Sequence, residues 1–156
     1  MPMITIHLAN ESAILIAEAC QRAGVRETGG MLFGEHVSDE EFLVVEATVA
    51  GTGSIASFVR GLAKGLGRLE RFFRRTKHNY SRFNYLGEWH SHPSFELVPS
   101  AIDNTTLFEI VDDPAVGARF AVSVIVKLID ANLQARAFVY FPGPRREVGH
   151  IVFDES

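Results

Sequence analysis

The chain has 156 residues, 47% of them hydrophobic and 22% charged, with a net charge of −4; this suits one water-soluble domain with a buried core and excludes a disordered chain. The single cysteine, Cys20, excludes an intramolecular disulfide and any cysteine-based zinc cluster. The first residues show no basic-then-apolar leader and no run approaches the roughly 18 apolar residues that span a bilayer, so the expectation is one cytoplasmic domain over residues 1–156.

Residues 3–8 alternate well enough for a short strand, and Asn10 or Ser12 can cap a helix over residues 12–23. Cys20 on that helix reads as a small buried hydrophobe, and Gly24 suits its C-terminal cap. Residues 27–34 read as a strand entered through Gly29 and Gly30. Glycines inside a strand mark a close approach of another backbone or a ligand. Residues 36–40 form a polar turn into a second strand, residues 41–47, and residues 50–57 are a small-residue loop.

Residues 58–77 carry the strongest helical pattern. Val59, Leu62, Ala63, Leu66, Leu69, Phe72 and Phe73 recur at three- and four-residue steps, while Arg60, Lys64, Arg68, Arg71 and Arg75 follow another face. From Arg60 to Arg82 the local balance is +7, against −11 for the rest of the chain. Two readings stand: a solvated helix face, or a docking surface for an acidic partner or nucleic acid. The acidic remainder of the chain argues against nucleic acid.

Residues 85–92 read as the strand that carries the chemistry. His90 and His92 are two apart, so both rings point to one face, Trp89 points to the other as a core anchor, and Pro93 stops the strand. Ser100 and Asp103 follow in the first turn of a helix over residues 100–112, which Asp113 and Pro114 end. Two imidazoles and one carboxylate are three ligands for Zn²⁺, and catalytic zinc keeps a fourth position for water. A structural reading covers the same residues: Ser100 as helix N-cap and Asp103 as a first-turn acid. Residues 120–128 and 134–141 read as a hairpin joined through Asp130, Ala131 and Asn132; Pro142, Gly143 and Pro144 break the chain before a last strand at 148–153. This order argues for an α/β sheet protein with helices on the sheet.

The run His90-x-His92-x7-Ser100-x2-Asp103 resembles the signature of the JAMM metalloproteases, also called the MPN-plus or JAB domain, in its prokaryotic form. Glu27-Thr28-Gly29-Gly30-Met31-Leu32-Phe33-Gly34 resembles the glutamate element that the family carries upstream. The resemblance implies a cytidine-deaminase-like α/β fold, a mixed β-sheet covered by helices. It implies one Zn²⁺ on His90, His92 and Asp103, with Glu27 as general base and Ser100 as donor to the oxyanion. The implied reaction is deubiquitinase-like: hydrolysis of an isopeptide or peptide bond after the C-terminal glycine of a ubiquitin-like modifier, in the setting of bacterial conjugation or anti-phage systems. Glu88 shares strand parity with the two histidines and stays a rival base, an acceptor for a ligand imidazole, or a sheet residue near solvent; Glu35 and Glu96 are weaker candidates. His7, His36, His78 and His150 lack ligand spacing. The alternative reading is a non-catalytic scaffold of the same fold that binds a protein partner.

Overall fold

The computed structural model describes residues 3–49, 74–77, 79, 82–94, 96–113 and 119–154. Its elements are β1 (Thr5–Leu8), α1 (Asn10–Ala23), β2 (Gly29–Ser38), β3 (Glu41–Ala47), β4 (Phe83–Ser91), α2 (Ala101–Asp112), β5 (Ala121–Ile129), β6 (Asn132–Phe141) and β7 (Arg145–Phe153). The expected loop at 50–57, most of the helix expected at 58–77, His78 and Pro114 lie outside the described residues. Of that helix residues 74–77 are described: Arg74 and Arg75 are helical, and Thr76 and Lys77 form a turn.

The mixed sheet closes on itself in the strand order β1-β3-β2-β4-β5-β6-β7. β1 closes it by running parallel to both β3 and β7. His7 on β1 stands at that closure, with Nε2 3.0 Å from Glu41 of β3 and Nδ1 3.3 Å from Asp154, just past β7. Closure leaves none of these strands as an open edge, which is how barrels avoid edge-to-edge association.

Alternation along β5 sorts the core into two clusters. Val122, Val124 and Val126 join Trp89, Leu32, Val44 and the α1 residues Ile16, Ala19 and Cys20. Ala121 and Ile125, on the other face, join Phe138, Tyr140 and the α2 residues Leu107, Ile110 and Val111. Cys20 is buried as expected, and burial pushes its thiol up to about 11.

Two glycines mark where backbones meet. At Gly30 a Cβ would lie 1.8 Å from the Thr48 carbonyl oxygen, and at Gly87 one would lie 1.9 Å from that of Val122. The register between β2 and β4 shifts between Leu32 and Phe33, which pair with Gly87 and Tyr85 and leave Leu86 as an extra residue. Such a bulge reverses side-chain parity. Leu86 thereby joins the cluster of Trp89, and Tyr85 comes onto the face of Glu88.

Several boundaries differ from the sequence expectation. α1 begins at Asn10, and its N-cap Ala9 makes no side-chain cap bond; Ser12 is buried instead and donates to the Val44 carbonyl at 3.5 Å. β2 runs on to Ser38 because His36 N donates to the Arg82 carbonyl at 2.7 Å, which leaves Asp39 and Glu40 as the turn. The β5–β6 hairpin turns on Asp130 and Ala131, with φ of 50° and 66°. These left-handed values match the twist of a two-residue hairpin.

Candidate metal centre

β4 and α2 bring the three candidate ligands together, each by a local rule. His92 follows the last residue of β4 but keeps its pairing with β5, its N donating to the Val126 carbonyl at 2.9 Å, so the two-residue spacing puts His90 and His92 on the α2 face, and both are buried. Asp103 is aimed by a capping box. Its Oδ2 accepts from Ser100 N at 2.9 Å, and Ser100 Oγ accepts from Asp103 N at 3.1 Å. The structural reading of Ser100 and Asp103 therefore holds, and it serves the site: the cap presents the carboxylate to the imidazoles. Asp103 Oδ2 lies 3.3 Å from His90 Nε2 and 3.6 Å from His92 Nε2. The two Nε2 atoms stand 3.1 Å apart, and one potential ligand atom from each of the three residues lies within 4.8 Å of the others.

The electrostatics follow from this crowding. Burial alone would raise the Asp103 carboxyl, but hydrogen bonds with His90 and His92 outweigh it and hold the carboxyl well below the usual carboxylate range. Burial alone would lower His92; hydrogen bonding to Asp103 and to the Glu96 carbonyl reverses this and raises it above 6.5, and the charge of Glu27 adds in the same sense. His92 Nδ1–H donates to the Glu96 carbonyl at 2.9 Å. In the neutral ring this leaves the Nε2 lone pair facing Asp103 and His90. Two imidazole nitrogens and a carboxylate oxygen converging on one buried point are a donor set that suits Zn²⁺.

Glu27 arrives through register. Gly29 pairs with His90. Thr28 stands opposite Ser91, for Ser91 N donates to the Thr28 carbonyl at 2.9 Å and Thr28 N donates to Ser91 Oγ at 3.0 Å. Continued by two residues, this antiparallel order brings Glu27 to His92; Glu27 is half-buried, and its charge acts on that ring. Trp89 points the other way as the expected core anchor and donates to the Thr48 carbonyl at 2.8 Å.

Glu88 is not a residue near solvent. It is fully buried, and burial pushes its carboxyl up to about 8, with the Tyr85 hydrogen bond opposing part of the rise. Tyr85 OH donates to Glu88 Oε1 at 3.3 Å. Glu35 pairs with Arg82 at 2.7 Å, and Glu96 contributes its backbone carbonyl to the site. Sequence reasoning did not single out Tyr85 or Ser123 beneath α2; a bulge hides the parity of the first, and the second sits in an apolar run. Of the basic stretch, Arg75 is ion-paired with Glu46 and Arg82 with Glu35, so these two cations are engaged within the chain. No helix among the described residues is long and apolar enough to cross a membrane.

Known proteins resemble the chain at three levels. A family model described as prokaryotic homologs of the JAB domain matches residues 11–139. A protein named CD-NTase/cGAS isopeptidase, from Enterobacter hormaechei subsp. hoffmannii (strain UCI 50), is 33% identical over 112 residues, covering 69% of this chain. The chain spans 59% of that relative's length. The solution structure of a protein from Desulfitobacterium hafniense superposes with a TM-score of 0.69 at 18% identity, covering 97% of this chain and 94% of its own, which shows the fold. A JAB1/MPN domain protein from Archaeoglobus fulgidus gives a TM-score of 0.49 at 19% identity, covering 95% and 98%.

Proposed function

The chain belongs to the family of prokaryotic JAB-domain homologues, and on that premise we propose that it is a zinc-dependent isopeptidase or peptidase of the JAMM type. The observation that supports this most is the convergence of His90, His92 and Asp103 within 4.8 Å, with Glu27 set by strand register against His92. His90 Nε2, His92 Nε2 and Asp103 Oδ2 would hold the ion. The same reading puts the fold among cytidine-deaminase-like α/β domains, a mixed sheet covered by helices.

A zinc ion bound there would supply Lewis acidity and make a water acidic enough to ionise near pH 7. The chain's own residues would do the rest. Glu27, just before β2 and so on a different segment from the ligand histidines, takes the proton of the attacking water and delivers it to the leaving amine. The hydroxyl hydrogen of Ser100, which the capping box does not use, is available to stabilise the carbonyl oxygen as the carbon becomes tetrahedral. No covalent acyl-enzyme is needed. We extend to this chain the isopeptide class in its relative's name, and take a ubiquitin-like modifier joined through its C-terminal glycine as the substrate.

The test is zinc content together with single-residue substitution. Protein prepared without chelators should carry about one zinc per chain, and His92→Ala should remove it. Glu27→Gln should keep the zinc and the fold but lose most turnover on a ubiquitin-like conjugate. Absence of zinc from the wild-type protein would sink the proposal. Bound zinc with no hydrolysis of any such conjugate would favour the non-catalytic scaffold. Full activity of Glu27→Gln would remove Glu27 as the base.

A further inference from the structure

Three buried polar atoms on the α2 face of the barrel find no hydrogen-bond partner among the described residues: Glu88 Oε2, His90 Nδ1 and Ser123 Oγ. Their residues are 1%, 3% and 0% exposed. Native interiors tolerate few such atoms, because a buried donor or acceptor without a partner forfeits its hydration for nothing.

The three are neighbours. Glu88 on β4 and Ser123 on β5 are register partners. His90 is two residues along β4, on the same face. Ala121 and Ile125, flanking Ser123 on that face, belong to the apolar cluster beneath α2, so the three orphans form a polar island inside it. Their chemistry is complementary. Glu88 Oε2 accepts when the carboxyl is ionised and donates when it is protonated, and its direction is limited because the Tyr85 hydroxyl already holds Oε1 at 3.3 Å. The Ser123 hydroxyl both donates and accepts. With the His90 Nε2 lone pair turned toward the metal centre, Nδ1 of that ring is the donor.

We propose that one buried water bridges Glu88 Oε2, Ser123 Oγ and His90 Nδ1, and that Glu88 is thereby the positioning residue for the ligand His90. A buried water commonly makes about three hydrogen bonds to otherwise unsatisfied groups. Here it accepts from His90 Nδ1–H and hydrogen-bonds the Glu88 carboxyl at Oε2 and the serine hydroxyl, each of which can donate or accept. The two ligand histidines then have different holders. His92 is fixed by direct donation to the Glu96 carbonyl at 2.9 Å, and His90 is fixed at one remove, through the water. The inference deepens the metal reading above and rests on it.

The experiment uses Glu88→Met, Glu88→Gln and Ser123→Ala in the full chain. Its readouts are imidazole ¹⁵N–¹H NMR, zinc affinity by chelator competition, and a high-resolution crystal structure. In the wild-type protein a solvent-protected His90 Nδ1–H signal is expected, with an ordered water touching all three residues. Glu88→Met should lose that signal, weaken zinc binding about 10- to 100-fold, as loss of a ligand's outer hydrogen-bond partner does, and leave the His92 Nδ1–H signal in place. Glu88→Gln, whose amide can still donate to or accept from the water, should stay within a few-fold of wild type. Glu88→Met should fold, because a well-packed apolar side chain replaces a buried carboxylate. If it does not, Ser123→Ala, which removes one of the three partners, decides by the same signals. Retention of both the His90 signal and the zinc affinity in Glu88→Met overturns the inference while leaving the metal reading intact. If wild-type protein binds no zinc, the metal reading fails instead, and the His90 signal in metal-free protein still upholds or overturns the water site.

Discussion

Replacing Gly30 with alanine tests the closest backbone contact behind the metal centre. The new Cβ would lie 1.8 Å from the Thr48 carbonyl oxygen, 2.5 Å from its carbon and 3.0 Å from Trp89 Nε1. Restoring an ordinary contact of about 3.5 Å needs a displacement of more than 1.5 Å, roughly. Thr48 cannot move freely. Its carbonyl accepts from the Trp89 indole at 2.8 Å, its N–H donates to the Met31 carbonyl at 3.0 Å, and its hydroxyl accepts from Met31 N at 2.9 Å. Overpacking costs about 1–3 kcal/mol, and stranding the buried indole N–H costs about 1–3 kcal/mol more. Against this, alanine recovers about 0.4–1 kcal/mol from the less flexible unfolded chain. The net expectation is a loss of about 1–5 kcal/mol. Urea denaturation measures it, and Trp89, the one tryptophan of the chain, reports the local change through its fluorescence. The emission should shift red, and Trp89→Phe combined with Gly30→Ala should cost less than the two losses added. Stability within about 0.5 kcal/mol of wild type, the size of an ordinary surface change, with unaltered emission would refute the close approach of Thr48.

The remaining predictions address the cap, the barrel closure and the basic stretch. Ser100→Ala should cost about 1 kcal/mol of stability for the lost cap and about 10²-fold or more in turnover for the lost donor; Ser100→Asp, which restores the cap but carries no donor when ionised, should recover the stability and not the turnover. The His7 pKa is raised, chiefly by its hydrogen bond with Glu41, which burial opposes and Asp154 reinforces. That stabilisation is full below about 6.5, the unfolded value, and is lost as pH rises through the higher folded value. His7→Ala should therefore be less stable than wild type in urea at pH 5.5, with the difference shrinking by pH 8.5; a constant difference would refute the ion pairing. Reversing Arg60, Arg68 and Arg71 to Glu should, on the docking reading of that stretch, raise KM for a protein conjugate and spare a short peptide, and a charge-steered effect of that kind should shrink with salt, which screens charges over roughly 8 Å at physiological ionic strength. Arg75 is left out of that set because it is already paired with Glu46.

The candidate metal ligands were legible in the sequence because each obeys a local rule. A strand repeats every two residues, so His90 and His92 had to share a face wherever the strand lay. Ser100 and Asp103 have the spacing of a capping box, and a capping box points its acid inward from the first turn. Gly30 announced a close approach in the same way, though not that Thr48 would make it. What lay beyond such rules was set by contacts between distant residues. Glu27 faces His92 only through the antiparallel register of β2 on β4. Glu88 had the right parity, but parity says nothing of burial; β5, beside it with Ser123, and α2 over that face decide it. The bulge at Leu86 brings Tyr85 onto the face of Glu88 against its own spacing. β1 closes the barrel by lying parallel to two strands more than thirty and more than a hundred residues away. Backbone geometry fixes a residue's neighbours within a few positions, whereas register, burial and closure depend on which far segment gains most by packing there.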